Sequence, residues 1–99
     1  MQILVTFKGV DSSDYLKSYL DEKLQRLDKI MPHPGKADVV FQEEKLRKIV
    51  DIHLGGKGFD VHATEESSAW NEAIDLVVDK VKKQLVKSKE KIQSHRVEA

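Results

Sequence analysis

The segment Val50–Ala63 constrains this chain more than any other. Val50, Ile52 and Leu54 alternate with Asp51 and His53, Gly55-Gly56-Lys57-Gly58 follows, and Phe59, Val61 and Ala63 then alternate with Asp60, His62 and Thr64. A period of two on both sides of a glycine-rich break predicts an antiparallel hairpin with one apolar face. With all four break residues in the loop, Leu54 opposes Phe59, Ile52 opposes Val61 and Val50 opposes Ala63. On the other face Asp51 then lies opposite His62, and His53 opposite Asp60. A sheet that is apolar on one side only must be covered there, and the rest of the chain has to supply that cover.

Two segments at helical spacing do so. Leu16, Leu20, Leu24, Leu27 and Met31 recur at steps of four, four, three and four, with Tyr19 and Ile30 beside them. Ser13 is a suitable N-cap and Asp14 suits the positive end of the helix dipole, while Pro32 and Pro34-Gly35 stop the run. Near the C-terminus Trp70, Ile74, Val77, Val78, Val81 and Leu85 trace a second stripe that Ile92 can extend, with Ser67 or Ser68 as its cap. Ile3, Val5 and Phe7 alternate with Leu4, Thr6 and Lys8 in a first strand ended by Gly9 and Asp11. Val39-Val40-Phe41 forms another, leaving toward solvent at Glu43 and Glu44. The predicted fold class is α+β: a β-α-β-β-β-α two-layer sandwich with two helices on one face of a four-stranded antiparallel sheet. Residues 1–95 are expected to form a single domain and residues 96–99 a disordered tail. Trp70, Phe59, Tyr15 and Tyr19 are expected to serve the core.

The formal charge is zero, but it is unevenly placed. Residues 1–79 hold ten basic and fifteen acidic residues, whereas residues 80–96 hold seven basic residues and one acid, Glu90. Lys80, Lys83, Lys87 and Lys91 project opposite the apolar stripe, with Lys82 and Lys89 on one flank. Helix one adds Lys23, Arg26 and Lys29 outside its leucine stripe, diluted by Asp21, Glu22 and Asp28. An ordinary solvated helix mixes both signs for i,i+4 pairing, so a one-signed face needs an anionic partner. Side-by-side helices would line one groove wide enough for a nucleic-acid backbone. Exposed aromatics for base stacking are scarce, which favours recognition of shape and phosphate position.

Other chemistries find little support. The chain has no cysteine, which excludes disulfides, thiolate nucleophiles and cysteine-based zinc sites. It shows no glycine-rich phosphate loop, serine elbow or His-x-x-x-His helix. The Asp51/His62 and His53/Asp60 pairs read as structural cross-strand contacts, His33 as part of a Pro-flanked turn and His95 as part of the tail. No enzyme activity, cofactor, metal or small-molecule substrate is expected. Met1–Lys8 has neither a basic leader nor a small-residue cleavage pattern, and no stretch approaches the roughly 20 apolar residues of a membrane span, so the expected location is the cytoplasm.

Trp70-Asn71-Glu72-Ala73-Ile74-Asp75-Leu76-Val77-Val78-Asp79-Lys80-Val81-Lys82-Lys83-Gln84-Leu85, followed by Lys87-Ser88-Lys89-Glu90-Lys91, resembles the last helix of the bacterial ribosome hibernation promoting factors, also called ribosome-associated inhibitor or sigma factor modulation proteins. The likeness extends to Met1-Gln2-Ile3, Glu22-Lys23-Leu24-Gln25-Arg26-Leu27, Val39-Val40-Phe41 with Glu44-Lys45, and Val61-His62-Ala63. It implies the β-α-β-β-β-α fold, which is similar to double-stranded-RNA-binding domains. It also implies a non-catalytic stress-response protein that occupies the messenger and transfer RNA channel of the small ribosomal subunit. Lys23, Arg26, Lys80, Lys83, Lys87 and Lys91 match positions that contact ribosomal RNA in that family; Lys29, Lys82 and Lys89 extend the same surface. Ser68-Ala69-Trp70 departs from the family's Asp-Met-Tyr. Self-driven pairing of ribosomes is not expected, because the chain ends at Ala99, where long members carry a further domain; a separate ribosome-dimerising partner protein is left open. Two alternatives stand beside this reading: a generic double-stranded-RNA or ribosomal-RNA module acting outside the channel, and a protein-interaction module whose acidic helix-one surface recruits a transcription regulator.

Overall fold

The computed structural model describes the backbone of residues 1–31 and 33–98 and the side chains of residues 1–31 and 33–87. The proposed tail, 96–99, and the positions of Ile92 and His95 therefore lie outside the residues whose side chains are described. Seven elements follow one another: β1 (Gln2–Lys8), α1 (Asp14–Gln25), a 3-10 segment (Arg26–Ile30), β2 (Gly35–Glu44), β3 (Arg47–Gly56), β4 (Phe59–Ser67) and α2 (Trp70–Glu98).

The strands form one sheet in the order β1-β2-β3-β4. β2, β3 and β4 are antiparallel neighbours as expected, but β1 pairs with β2 in parallel. α1 causes the difference: it carries the chain back along the sheet, so β2 starts at the same end as β1, as a crossover connection requires. Apolar residues then line up across all four strands. Ile3, Ala37, Leu54 and Val61 form one row, and Val5, Val39, Ile52 and Ala63 the next. Phe7 stacks on Phe41 at 5.0 Å between ring centroids, and Trp70 meets Phe41 edge-on at 5.5 Å.

The β3–β4 register differs from the expected one by two residues. Gly56 pairs with Phe59, Leu54 with Val61 and His53 with His62, leaving only Lys57 and Gly58 in the turn. Gly55 and Gly56 are strand residues. A β-carbon at Gly56 would lie 2.5 Å from the Phe59 ring, and one at Gly35 2.9 Å from it, so these glycines make room for the ring. A slip of two keeps every side chain on its face, which is why the predicted apolar side survives the wrong register.

The other hairpin turns at Lys45 and Leu46, both with positive φ (48° and 68°). Two successive left-handed residues are what a two-residue type I′ turn needs, and glycine is usual at the second. Leu46 is 86% exposed, so its side chain contributes no packing there. Leu46→Gly is therefore expected to stabilise the domain by about 0.5 kcal/mol, the relief of a left-handed leucine outweighing the extra freedom of glycine in the unfolded chain. Thermal unfolding should show a midpoint about 3 °C higher; a lower midpoint contradicts the strain.

On the helical layer, Ser13 accepts a hydrogen bond from the Leu16 amide at 3.2 Å, as an N-cap should. The α-helix does not run to Met31. It tightens after Gln25, because Leu24, Leu27 and Ile30 are spaced by three and a 3-10 turn keeps them on one edge. Met31 is extended (φ −85°, ψ 134°), as the residue before a proline should be. Neither serine takes the N-cap position of α2: Ser67 ends β4, its hydroxyl accepts from the Ala69 amide at 3.4 Å, and Ala69 directly precedes the helix. Ala73, Ile74, Val77, Val78, Val81 and Leu85 face the sheet with Leu16, Leu20, Leu24 and Leu27. Among the described residues no polar or charged side chain is buried. The polar chemistry of the described residues is therefore at the surface.

Candidate nucleic-acid interface

α1 and α2 lie side by side and run in the same direction, joined by two ladders of i,i+4 side chains. From α1 come Tyr15, Tyr19 and Lys23; from α2 come Asn71, Asp75 and Asp79. The Asn71 amide donates to the Tyr15 hydroxyl at 2.9 Å, and the Tyr19 hydroxyl donates to Asp75 Oδ1 at 2.8 Å. Lys23 Nζ reaches the same carboxylate oxygen at 3.2 Å and lies 5.4 Å from the Tyr19 ring centroid. The hydrogen bond to Asp75 pushes the Tyr19 hydroxyl above its ordinary pKa, since ionisation would set a phenolate against a carboxylate. Tyr19 thus remains a donor at neutral pH. Tyr15 is not in the core: it is 63% exposed and serves the seam between helices. Tyr19 is half-buried, and Phe59 is buried as expected.

Beyond this seam the helices part to leave a groove of about 440 Å³. Lys23, Arg26 and Lys29 line it from the α1 side and Lys82 from α2, over an apolar floor of Leu27, Ile30 and Val78. A second depression of about 510 Å³ continues along α2 past Lys82, Lys83 and Lys87. The structure thus brings six of the nine candidate cations together. Lys82, placed on a flank by helical geometry, is the α2 lysine that faces the groove. Lys80 is exposed about 200° round the helix from Lys82 and lines neither depression. The side chains of Lys89 and Lys91 lie outside the described residues.

The acids inferred to dilute helix one are largely elsewhere. Asp21 accepts from Gln25 and Asp28 pairs with the Met1 amine at 3.5 Å; Glu22 alone touches a groove cation, Arg26, also at 3.5 Å. The carboxylates that enter the groove are Asp75 and Asp79, the latter 3.0 Å from Lys83. Their only trace in the sequence is the Asp79–Lys83 spacing of four. Six cations against two carboxylates leave the depressions positive. The Lys83–Asp79 pair is exposed and the Lys23–Asp75 pair partly so, and ion pairs open to solvent hold their lysines weakly.

The opposite sheet face offers no comparable site. His62 Nε2 bonds Asp51 at 2.7 Å and His53 Nε2 bonds Asp60 at 2.5 Å, as diagonal rather than facing pairs, because His53 stands opposite His62. Among the described residues no group of three or more His, Cys, Asp or Glu is placed to hold a metal ion, and no helix is long and apolar enough to cross a membrane. Trp70 offers little stacking surface, since Phe41 meets it from the core and the Lys48 ammonium lies 5.4 Å from its ring centroid.

Comparison with known proteins gives one consistent answer. Residues 3–93 match the model of the family described as sigma 54 modulation protein / S30EA ribosomal protein. A ribosome hibernation promoting factor from Azotobacter vinelandii is 34% identical over 91 residues, covering 92% of this chain and 85% of the relative. A ribosomal subunit interface protein from Coxiella burnetii has a similar structure (TM-score 0.80, 32% identity), over 91% of this chain and 99% of that one. The N-terminal domain of Protein Y from Thermus thermophilus is also similar (TM-score 0.81, 27% identity), over 86% and 96% respectively.

Proposed function

The chain belongs to the sigma 54 modulation protein / S30EA ribosomal protein family, and from that premise we infer that it binds the ribosome and holds it in hibernation. The names of its relatives support ribosome binding. The finer mechanism is occlusion: the groove between α1 and α2 seats on ribosomal RNA of the small subunit, in the channel that messenger and transfer RNA use. One observation carries this reading. Lys23, Arg26, Lys29, Lys82, Lys83 and Lys87 line two continuous depressions without a stacking aromatic or a metal-binding cluster among the described residues. Such a surface suits a folded phosphate backbone. The activity is to fill space, with no turnover and no cofactor, and a ribosomal partner places it in the cytoplasm.

Asp21 and Glu22 meet exposed partners, as the groove carboxylates do, so what favours the ribosomal reading over a transcription regulator is the excess of cations lining the two depressions. Channel occupancy is tested by co-sedimentation with isolated small subunits. Messenger RNA and initiator transfer RNA added together are expected to displace the protein. Binding that survives both would place the contact outside the channel, as for a generic RNA module.

A further inference from the structure

Asp75 and Asp79 sit where a phosphate-binding groove should least tolerate them. Both line the groove, both are exposed to solvent, and each already engages a lysine, Lys23 at 3.2 Å and Lys83 at 3.0 Å. Asp75 also accepts from the half-buried Tyr19 hydroxyl of the seam, whereas Asp79 holds an exposed ion pair, and no charged side chain among the described residues is buried. A phosphate entering beside either carboxylate meets like-charge repulsion, and it must also compete for that lysine. RNA offers another kind of group to a carboxylate: the 2′-hydroxyl and the exocyclic amines of bases are donors, and a carboxylate is a pure acceptor.

The geometry points to Asp75 and Asp79 as the residues that set selectivity in this groove. They accept hydrogen bonds from RNA donor groups and reject arrangements that present phosphate alone. This rests on the groove being the ribosomal RNA site, and it adds what the cations cannot supply. Lysines and arginine attract any polyanion, whereas two fixed acceptors among them favour an RNA surface whose phosphates and donors alternate in the matching order. A folded ribosomal surface can meet that order. A regular duplex repeats phosphate and 2′-hydroxyl at one fixed spacing and keeps its exocyclic amines largely base-paired, so it matches two fixed acceptors less well than a folded surface with unpaired bases.

The test compares the unaltered protein with Asp75→Asn/Asp79→Asn, measuring affinity for isolated small subunits and for a short RNA duplex of unrelated sequence at one fixed salt concentration. Removing two negative charges within several ångströms of the bound phosphates is expected to tighten duplex binding about tenfold. Subunit binding is expected to stay the same or weaken, so discrimination falls. Duplex affinity that is unchanged or weaker, or subunit affinity that rises by the same factor, overturns the inference.

Asp79→Asn alone, which removes only an exposed ion pair, is expected to tighten duplex binding about threefold without disturbing the helix seam. Tyr19→Phe keeps both carboxylates and removes the hydroxyl that bonds Asp75; it should leave duplex affinity unchanged. Tightening in that variant equal to the double Asn variant would assign the effect to packing and also overturn it. If the unaltered protein does not bind small subunits at all, the functional reading itself fails. Subunit binding with unaltered duplex affinity in the variants rejects the selectivity role alone.

Discussion

Lys82→Glu, Lys83→Glu and Lys87→Glu combined are expected to weaken small-subunit binding by more than about a thousandfold while leaving the domain folded. The three side chains are exposed and line the depressions along α2. Reversing them turns six cations facing two carboxylates into three cations facing five, so phosphates that had been attracted are repelled. Folding should be nearly indifferent. The described ion pair lost is the exposed Lys83–Asp79 contact, and such pairs contribute little to stability. The buried stripe of Ile74, Val77, Val81 and Leu85 is untouched. A second triple reversal, Lys8→Glu, Lys36→Glu and Lys57→Glu, makes the same change in net charge at exposed positions on the strands and the β3–β4 turn. It should cost less than about tenfold, because long-range attraction is screened and no groove contact is lost. Equal losses in the two variants, measured by co-sedimentation, would show that net charge rather than the groove governs binding.

The two apolar stripes and the alternating strands were legible because burial leaves a periodic trace, with period near 3.6 in Leu16–Leu27 and Ile74–Leu85 and period two in Val50–Ala63. The exact pairing was less legible. Gly55 and Gly56 look like turn residues, and only the space taken by the Phe59 ring shows that they belong to β3. The parallel pairing of β1 depends on where α1 returns the chain, which is a tertiary property. The 3-10 segment did leave a sign, the steps of three from Leu24 to Ile30, but a continued α-helix accounts for the same residues nearly as well.

The candidate site shows the same division. Lysine positions round α2 follow from helical geometry, so the exposure of Lys80, Lys82, Lys83 and Lys87 was accessible from the sequence. Which of them faces α1 was not, because that depends on the direction in which the two helices run. Tyr15, expected in the core, instead joins Tyr19 and Lys23 in a ladder that meets Asn71 and Asp75 across the seam. Amphipathic side chains can serve either place, and composition alone does not choose between them.

Salt dependence is the most direct measurement of whether groove cations meet phosphate. Each phosphate neutralised by a lysine or arginine releases condensed counterions, so the logarithm of affinity falls linearly with the logarithm of salt concentration, with a slope set by the number of contacts. With Lys23, Arg26, Lys29, Lys82, Lys83 and Lys87 engaged, affinity for isolated small subunits should drop about a thousandfold between about 50 and 200 mM monovalent salt. Affinity that changes less than about threefold over that range would contradict binding through these six side chains.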